Sequence, residues 1–238
     1  VIYFLKVEGL EQLQRVIRLQ REYTKIRFGL FIEFPLLSSI NKLRDNTFRL
    51  ALKKLKGYPK IVQVDTFYVE TKAILKIVQD CIFIEADYIL PSESYSFGSF
   101  LEVLATFKTI MKMLNADIQL LLPYSELEDY KIDERFTLDN WESVFFEPDE
   151  NITISIPYIQ SNKIKHTIKR WKSIKNLLKT HPDKKWIIFD FNRYYIENIQ
   201  LLKENKVFGI ISRNWVRRHL WYEQKVFPTF RQKVSDYF

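Results

Sequence analysis

The stretch IRFGLFIEF (Ile26–Phe34) carries Ile, Leu or Phe at every position except Arg27, Gly29 and Glu33. It is too short for a helix with one apolar face. It also lacks the strict polar–apolar alternation of a sheet that is wet on one side. A near-continuous apolar run of this length is what a strand looks like when a parallel sheet is covered on both faces.

Working outward, seven more runs of the same kind appear: VIYFLKV (1–7), KIVQVDTF (60–67), CIFIEADYIL (81–90), DIQLLLP (117–123), NITISIPYI (151–159), WIIFDF (186–191) and VFGIIS (207–212). Between them lie segments with helical periodicity. EQLQRVIRLQREY (11–23) gathers Leu13, Val16, Ile17 and Leu19 on one side, and FRLALKKLKG (48–57) ends in Gly57, a C-terminal capping residue. SFLEVLATFKTIMKMLN (99–115) opens on Ser99 with Glu102 three residues later, the pattern of a capping box. KIKHTIKRWKSIKNLLK (163–179), YYIENIQLLKEN (194–205) and NWVRRHLWYEQK (214–225) complete the set. Eight strand-like runs with helical segments among them in 238 residues predict an α/β fold, a single (β/α)8 TIM-type barrel spanning 1–238.

One connection breaks the rhythm. From Glu126 to Glu150 there are ten acidic and two basic residues, a net charge of −8. The whole chain carries +8, so the remainder carries +16. This predicts an acidic insertion at 124–150, between strands five and six, and a strongly basic surface elsewhere. The tail at 226–238 is expected to pack on the barrel or on a partner, and a homodimer fits that expectation.

A single cysteine, Cys81, rules out an intrachain disulfide framework and a cysteine-based zinc site. The opening VIYFLKVEG has no basic segment followed by a long apolar run, and no run approaches the ~20 residues of a membrane helix. A cytoplasmic protein without a membrane partner is the expectation.

In barrels of this type the active site lies at the C-terminal ends of the strands. The strand list therefore becomes a list of candidates. Strand one ends at Lys6 and Glu8, strand two at Glu33, strand three at Asp65 and strand four at Glu85 and Asp87. Strand six ends near Tyr158, strand seven at Asp190, Asn192 and Arg193, and strand eight at Ser212, Arg213 and Asn214. Carboxylates are costly inside apolar strands, so their recurrence at one end predicts a site. Glu33, Asp65, Glu85, Asp87 and Asp190 are the catalytic candidates, as acid, base or nucleophile. Alternation sends Glu85 and Asp87 to the same side of their strand. Asn192, Arg193, Ser212, Arg213, Asn214 and Tyr158 are the substrate and phosphate candidates, because arginines clamp phosphate without a glycine-rich cradle. The three histidines fall in helices or at helix ends, away from the expected mouth. No metal site and no cofactor is therefore predicted, although Mg2+ or Mn2+ held by these carboxylates is compatible with their chemistry.

Lys169, Arg170, Lys172, Arg217 and Arg218 are interleaved with Trp171, Trp215 and Trp221. Basic residues mixed with aromatics suit phosphate contact and base stacking, so tRNA or single-stranded DNA is the expected partner.

VDTFYV with Asp65 and EADYILP with Asp87 resemble two strand ends of the tRNA-guanine transglycosylases and their DNA-acting relatives. That resemblance implies a barrel in which these aspartates handle base exchange and base recognition. The glycines that follow the first of these aspartates in that family are absent here, and so is its cysteine zinc site. The expected function is a barrel enzyme acting on a nucleic acid or nucleotide at a glycosidic bond. A non-catalytic RNA- or protein-binding barrel and a glycoside hydrolase with a carboxylate pair are the alternatives.

Overall fold

The computed structural model describes residues 1–24, 27–33, 42–64, 71–91, 97–123, 153–156, 176, 178–180, 182, 185–189 and 207–212. Eight strands follow in order: β1 Ile2–Lys6, β2 Arg27–Glu33, β3 Lys60–Val64, β4 Tyr88–Pro91, β5 Gln119–Pro123, β6 Thr153–Ile156, β7 Lys185–Phe189 and β8 Gly209–Ser212. Each pairs in parallel with the next, and β8 returns to β1, so the sheet closes into a barrel. Residues 27–33 of the opening stretch form the strand β2, as expected. The acidic segment 124–150 and the tail 226–238 lie outside the described residues.

Side chains on a strand alternate between the two faces, and closure turns one face inward. Ile2, Phe4, Phe31, Ile61, Tyr88, Leu90, Leu121, Ile187 and Ile211 form the inner cluster. Tyr3, Leu5, Phe28, Leu30, Ile32, Val62, Val64, Trp186 and Ile188 join the outer cluster, beneath the helices. That is why β2 is apolar at nearly every position: both of its faces are buried.

Phe4 is fully buried and fills the barrel centre between two glycines. A Cβ on Gly29 of β2 would lie 2.6 Å from the Phe4 ring, and one on Gly209 of β8 only 2.5 Å from it. No larger residue fits beside β1 on either side. Among the described residues the interior at this layer is filled by buried apolar side chains.

Four helices are described: α1 Leu10–Glu22, α2 Lys42–Lys54, α3 Thr71–Phe83 and α4 Phe97–Met113. α1 buries Leu13, Val16 and Leu19, the stripe expected from its periodicity, while Ile17 stays half-buried. α2 buries Phe48 and Leu52, and Gly57 takes a left-handed φ of 89° in the turn after it. α3 ties itself to α2 through an ion pair between the buried Asp80 and Arg49. No helix among the described residues is long and apolar enough to cross a membrane.

Two expectations are corrected. α4 begins at Phe97, so Ser99 lies inside the helix and does not cap it. CIFIEADYIL is not one strand either: Cys81–Phe83 is the last turn of α3, and β4 starts only at Tyr88. The helix ends in a Schellman arrangement. The Ala86 amide donates to the Cys81 carbonyl (2.9 Å) and the Glu85 amide to the Ile82 carbonyl (3.1 Å). Glu85 takes the left-handed position, φ 57°, that glycine usually holds. Without that glycine, an apolar helix end reads as the start of a strand.

Candidate functional site at the barrel mouth

The corrected boundary relocates two candidates. Glu85 and Asp87 precede β4, so they lie at the N-terminal end of the barrel, opposite the mouth. Their work there is structural. An Asp87 carboxylate oxygen accepts from the Lys60 amide (2.7 Å), and the Asp87 amide donates to the Lys60 carbonyl (3.0 Å). Lys60, the first residue of β3, is buried, and its ammonium donates to the Glu85 carbonyl (3.3 Å). Burial lowers the Lys60 pKa, and the charges of Asp87 and Glu85 offset part of that.

At the opposite end, inward positions change from apolar to polar within one alternation. β1 reads Ile2, Phe4, Lys6; β2 reads Gly29, Phe31, Glu33; β3 reads Ile61, Gln63. Glu33 and Gln63 are register partners. Lys6, Glu33 and Gln63 thus form a polar tier directly above the apolar layers. The Lys6 ammonium donates to Glu33 (2.9 Å) and to Glu8 (2.7 Å), which lies two residues past the end of β1. The pairing of β1 and β2 extends past Lys6 through the Val7 amide, which donates to the Phe31 carbonyl (2.9 Å) and holds both strand ends together.

Burial alone would lower the Lys6 pKa. The hydrogen bonds and charges of Glu8 and Glu33 outweigh it, and the net shift is upward. Lys6 is therefore held as an ammonium, a fixed cation in a half-exposed site.

Of the carboxylates expected at the mouth, Glu33 is there, and its partner is Lys6. Ser212 is the last residue of β8, at the mouth end. Asp65, Asp190, Tyr158, Asn192, Arg193, Arg213 and Asn214 lie outside the described residues. So do Lys169, Arg170, Lys172, Arg217 and Arg218. Lys6 and Glu8 are recognisable in the sequence as the end of a strand, but a search for clustered acids gives them no role. The signal that finds them is a lysine at the inward phase of an otherwise apolar strand. Among the described residues no group of three or more His, Cys, Asp or Glu is placed to hold a metal ion. The two described mouth carboxylates, Glu8 and Glu33, bracket the Lys6 ammonium.

No protein-family model matches the sequence, and no curated protein matches it. Solved structures do share the fold. Oxaloacetate acetylhydrolase in complex with the product oxalate superposes with a TM-score of 0.60 at 12% identity, over 95% of this chain and 82% of that one. 2,3-Dimethylmalate lyase, a member of the PEP mutase/isocitrate lyase superfamily, gives 0.60 at 10% identity over 97% and 82%. N-acetylneuraminate lyase from Mycoplasma synoviae gives 0.56 at 11% identity over 99% and 79%. The chain thus shares the barrel fold of these structures.

These findings overturn the resemblance to the tRNA-guanine transglycosylases. They also overturn the expected nucleic-acid partner, whether tRNA or single-stranded DNA, and the glycosidic-bond chemistry that went with it. The similar barrels are named for small organic acids. The physical reason lies partly in Asp87, half of that resemblance, which precedes β4 and so sits at the N-terminal end of the barrel, opposite the strand ends where it was expected.

Proposed function

We propose that the chain is a barrel enzyme, a lyase or hydrolase, that acts at its mouth on a small organic acid. Lys6 binds the substrate carboxylate and Glu33 orients the ammonium. The observation that carries this reading is a lysine paired with Glu8 and Glu33 in the polar tier above an interior filled by Phe4 and Phe31. Phe4 and Phe31 form the apolar layer beneath Lys6. Because its neighbours raise its pKa, Lys6 suits charge-assisted binding of an anion and is a poor free amine for imine formation. The net charge of +8 favours anionic ligands in general. Oxaloacetate, dimethylmalate and neuraminate, the compounds in the names of the similar barrels, are all carboxylic acids.

The test is a panel of oxaloacetate, pyruvate, malate and N-acetylneuraminate, followed by proton NMR with and without Mg2+. At least one compound should be consumed. Lys6→Met should lower its turnover about 100-fold, as expected when a charged hydrogen bond worth up to ~3 kcal/mol is lost. Undiminished turnover in folded Lys6→Met, or no turnover of any compound, refutes the proposal.

A further inference from the structure

We infer that the organic acid binds by counter-ion exchange: its carboxylate replaces Glu8 on the Lys6 ammonium while Glu33 stays bound. This inference rests on the function proposed above and adds how the site selects its ligand. Lys6, Glu8 and Glu33 together carry a net charge of −1. A third carboxylate cannot simply be added beside them, because like charges at this range repel. One carboxylate has to leave, and the geometry distinguishes the two.

Glu33 ends β2, and its backbone is paired in register with Gln63 of β3. Its side chain is 28% exposed. Glu8 stands in the short connection between β1 and α1, outside both elements, and its side chain is 36% exposed. Displaced, it meets water and the start of α1, where Gly9 supplies no side-chain cap. The positive end of a helix is a favourable place for a carboxylate. An ion pair as exposed as Lys6–Glu8 is worth a factor of about one to five in an equilibrium constant. A ligand that gains a charge-assisted bond to Lys6 overcomes it. The exchange also sets selectivity, because a neutral molecule offers Lys6 nothing that repays the loss of Glu8.

The experiment uses the full chain and oxalate as probe, with binding followed by calorimetry and by NMR of the glutamate side-chain carboxyl carbons. Oxalate should move the Glu8 signal and leave that of Glu33 in place. Glu8→Gln should bind oxalate about three- to fivefold more tightly. Glu33→Gln should not tighten binding, and Lys6→Met should abolish it. Glu11→Gln, an exposed change in the first turn of α1, controls for general loss of negative charge and should leave affinity unchanged. Thermal unfolding of each variant verifies that it is folded. If oxalate binds through Lys6 but Glu8→Gln does not tighten it, or Glu33→Gln tightens it equally, the exchange is wrong and the proposed function stands. If neither oxalate nor any acid of the panel binds the unaltered chain, both fall.

Discussion

Gly209→Ala, made alone and with Phe4→Leu, tests the floor of the site. A Cβ at residue 209 would stand 2.5 Å from Cε2 and 3.0 Å from Cδ2 of Phe4. Carbon atoms at rest sit about 3.5–4.0 Å apart, so the ring must retreat by about 1 Å. It has nowhere to go. Phe4 is fully buried, and on its far side the ring already lies so close to Gly29 that a Cβ there would stand 2.6 Å from Cδ1. The cost should lie at the top of the overpacking range, about 3 kcal/mol. For a chain of this size that lowers the unfolding temperature by roughly 6–12 °C.

Phe4→Leu alone should cost ~1–2 kcal/mol for the buried volume it removes. In the double variant the new methyl occupies space the ring has left. The combined loss should therefore be only about 2 kcal/mol, a coupling of ~2 kcal/mol between the two sites. Denaturant titration of all four proteins measures the cycle. Additivity within ~0.5 kcal/mol, or a neutral Gly209→Ala, means the ring is not wedged and the interior below Lys6 is not the rigid floor described above.

Glu85→Gly should stabilise the chain by ~0.5–1 kcal/mol, because glycine tolerates the left-handed conformation that Glu85 holds at φ 57°; a lowered unfolding temperature contradicts it. Asp87→Ala should cost about 1 kcal/mol by orphaning the Lys60 amide, with Asp87→Asn recovering part of it, and neither should change oxalate affinity at the mouth. Burial, reinforced by the Asp87 charge, pushes the Tyr88 phenol up to about 12 from 10.0. A raised pKa means that its stabilising contribution is complete below pH 10 and is lost as pH climbs to about 12. Denaturation at stepped alkaline pH should show that decline, and Tyr88→Phe should flatten it; identical slopes would remove Tyr88 as its source. Lys6 adds a loss of the same sign above pH 10.5, whereas Lys60, with its lowered pKa, contributes in the opposite direction as pH approaches 10.5.

The eightfold strand pattern was legible because burial on both faces leaves a local mark: a strand such as β2 must be apolar at successive positions. The alternation of inner and outer residues follows from the same pattern once the strands are paired. The strand ends were less legible. An apolar helix terminus and an apolar strand start have the same composition, and Cys81–Phe83 belongs to the first. Because Glu85, not glycine, closes that helix, nothing in the sequence marks its last turn. A few residues of error in that boundary were enough to transfer Asp87 from one end of the barrel to the other.

The sequence alone therefore determined the architecture, through hydrophobic periodicity that each segment carries by itself. It also placed Glu33 and Lys6 at strand ends. Only the closed barrel decided that these two residues, far apart in the chain, share one hydrogen bond, and that Glu85 and Asp87 do not join them. The physical reason is that strand register and closure are non-local: they are fixed by how all eight strands pair around the barrel, and no window of sequence contains that information.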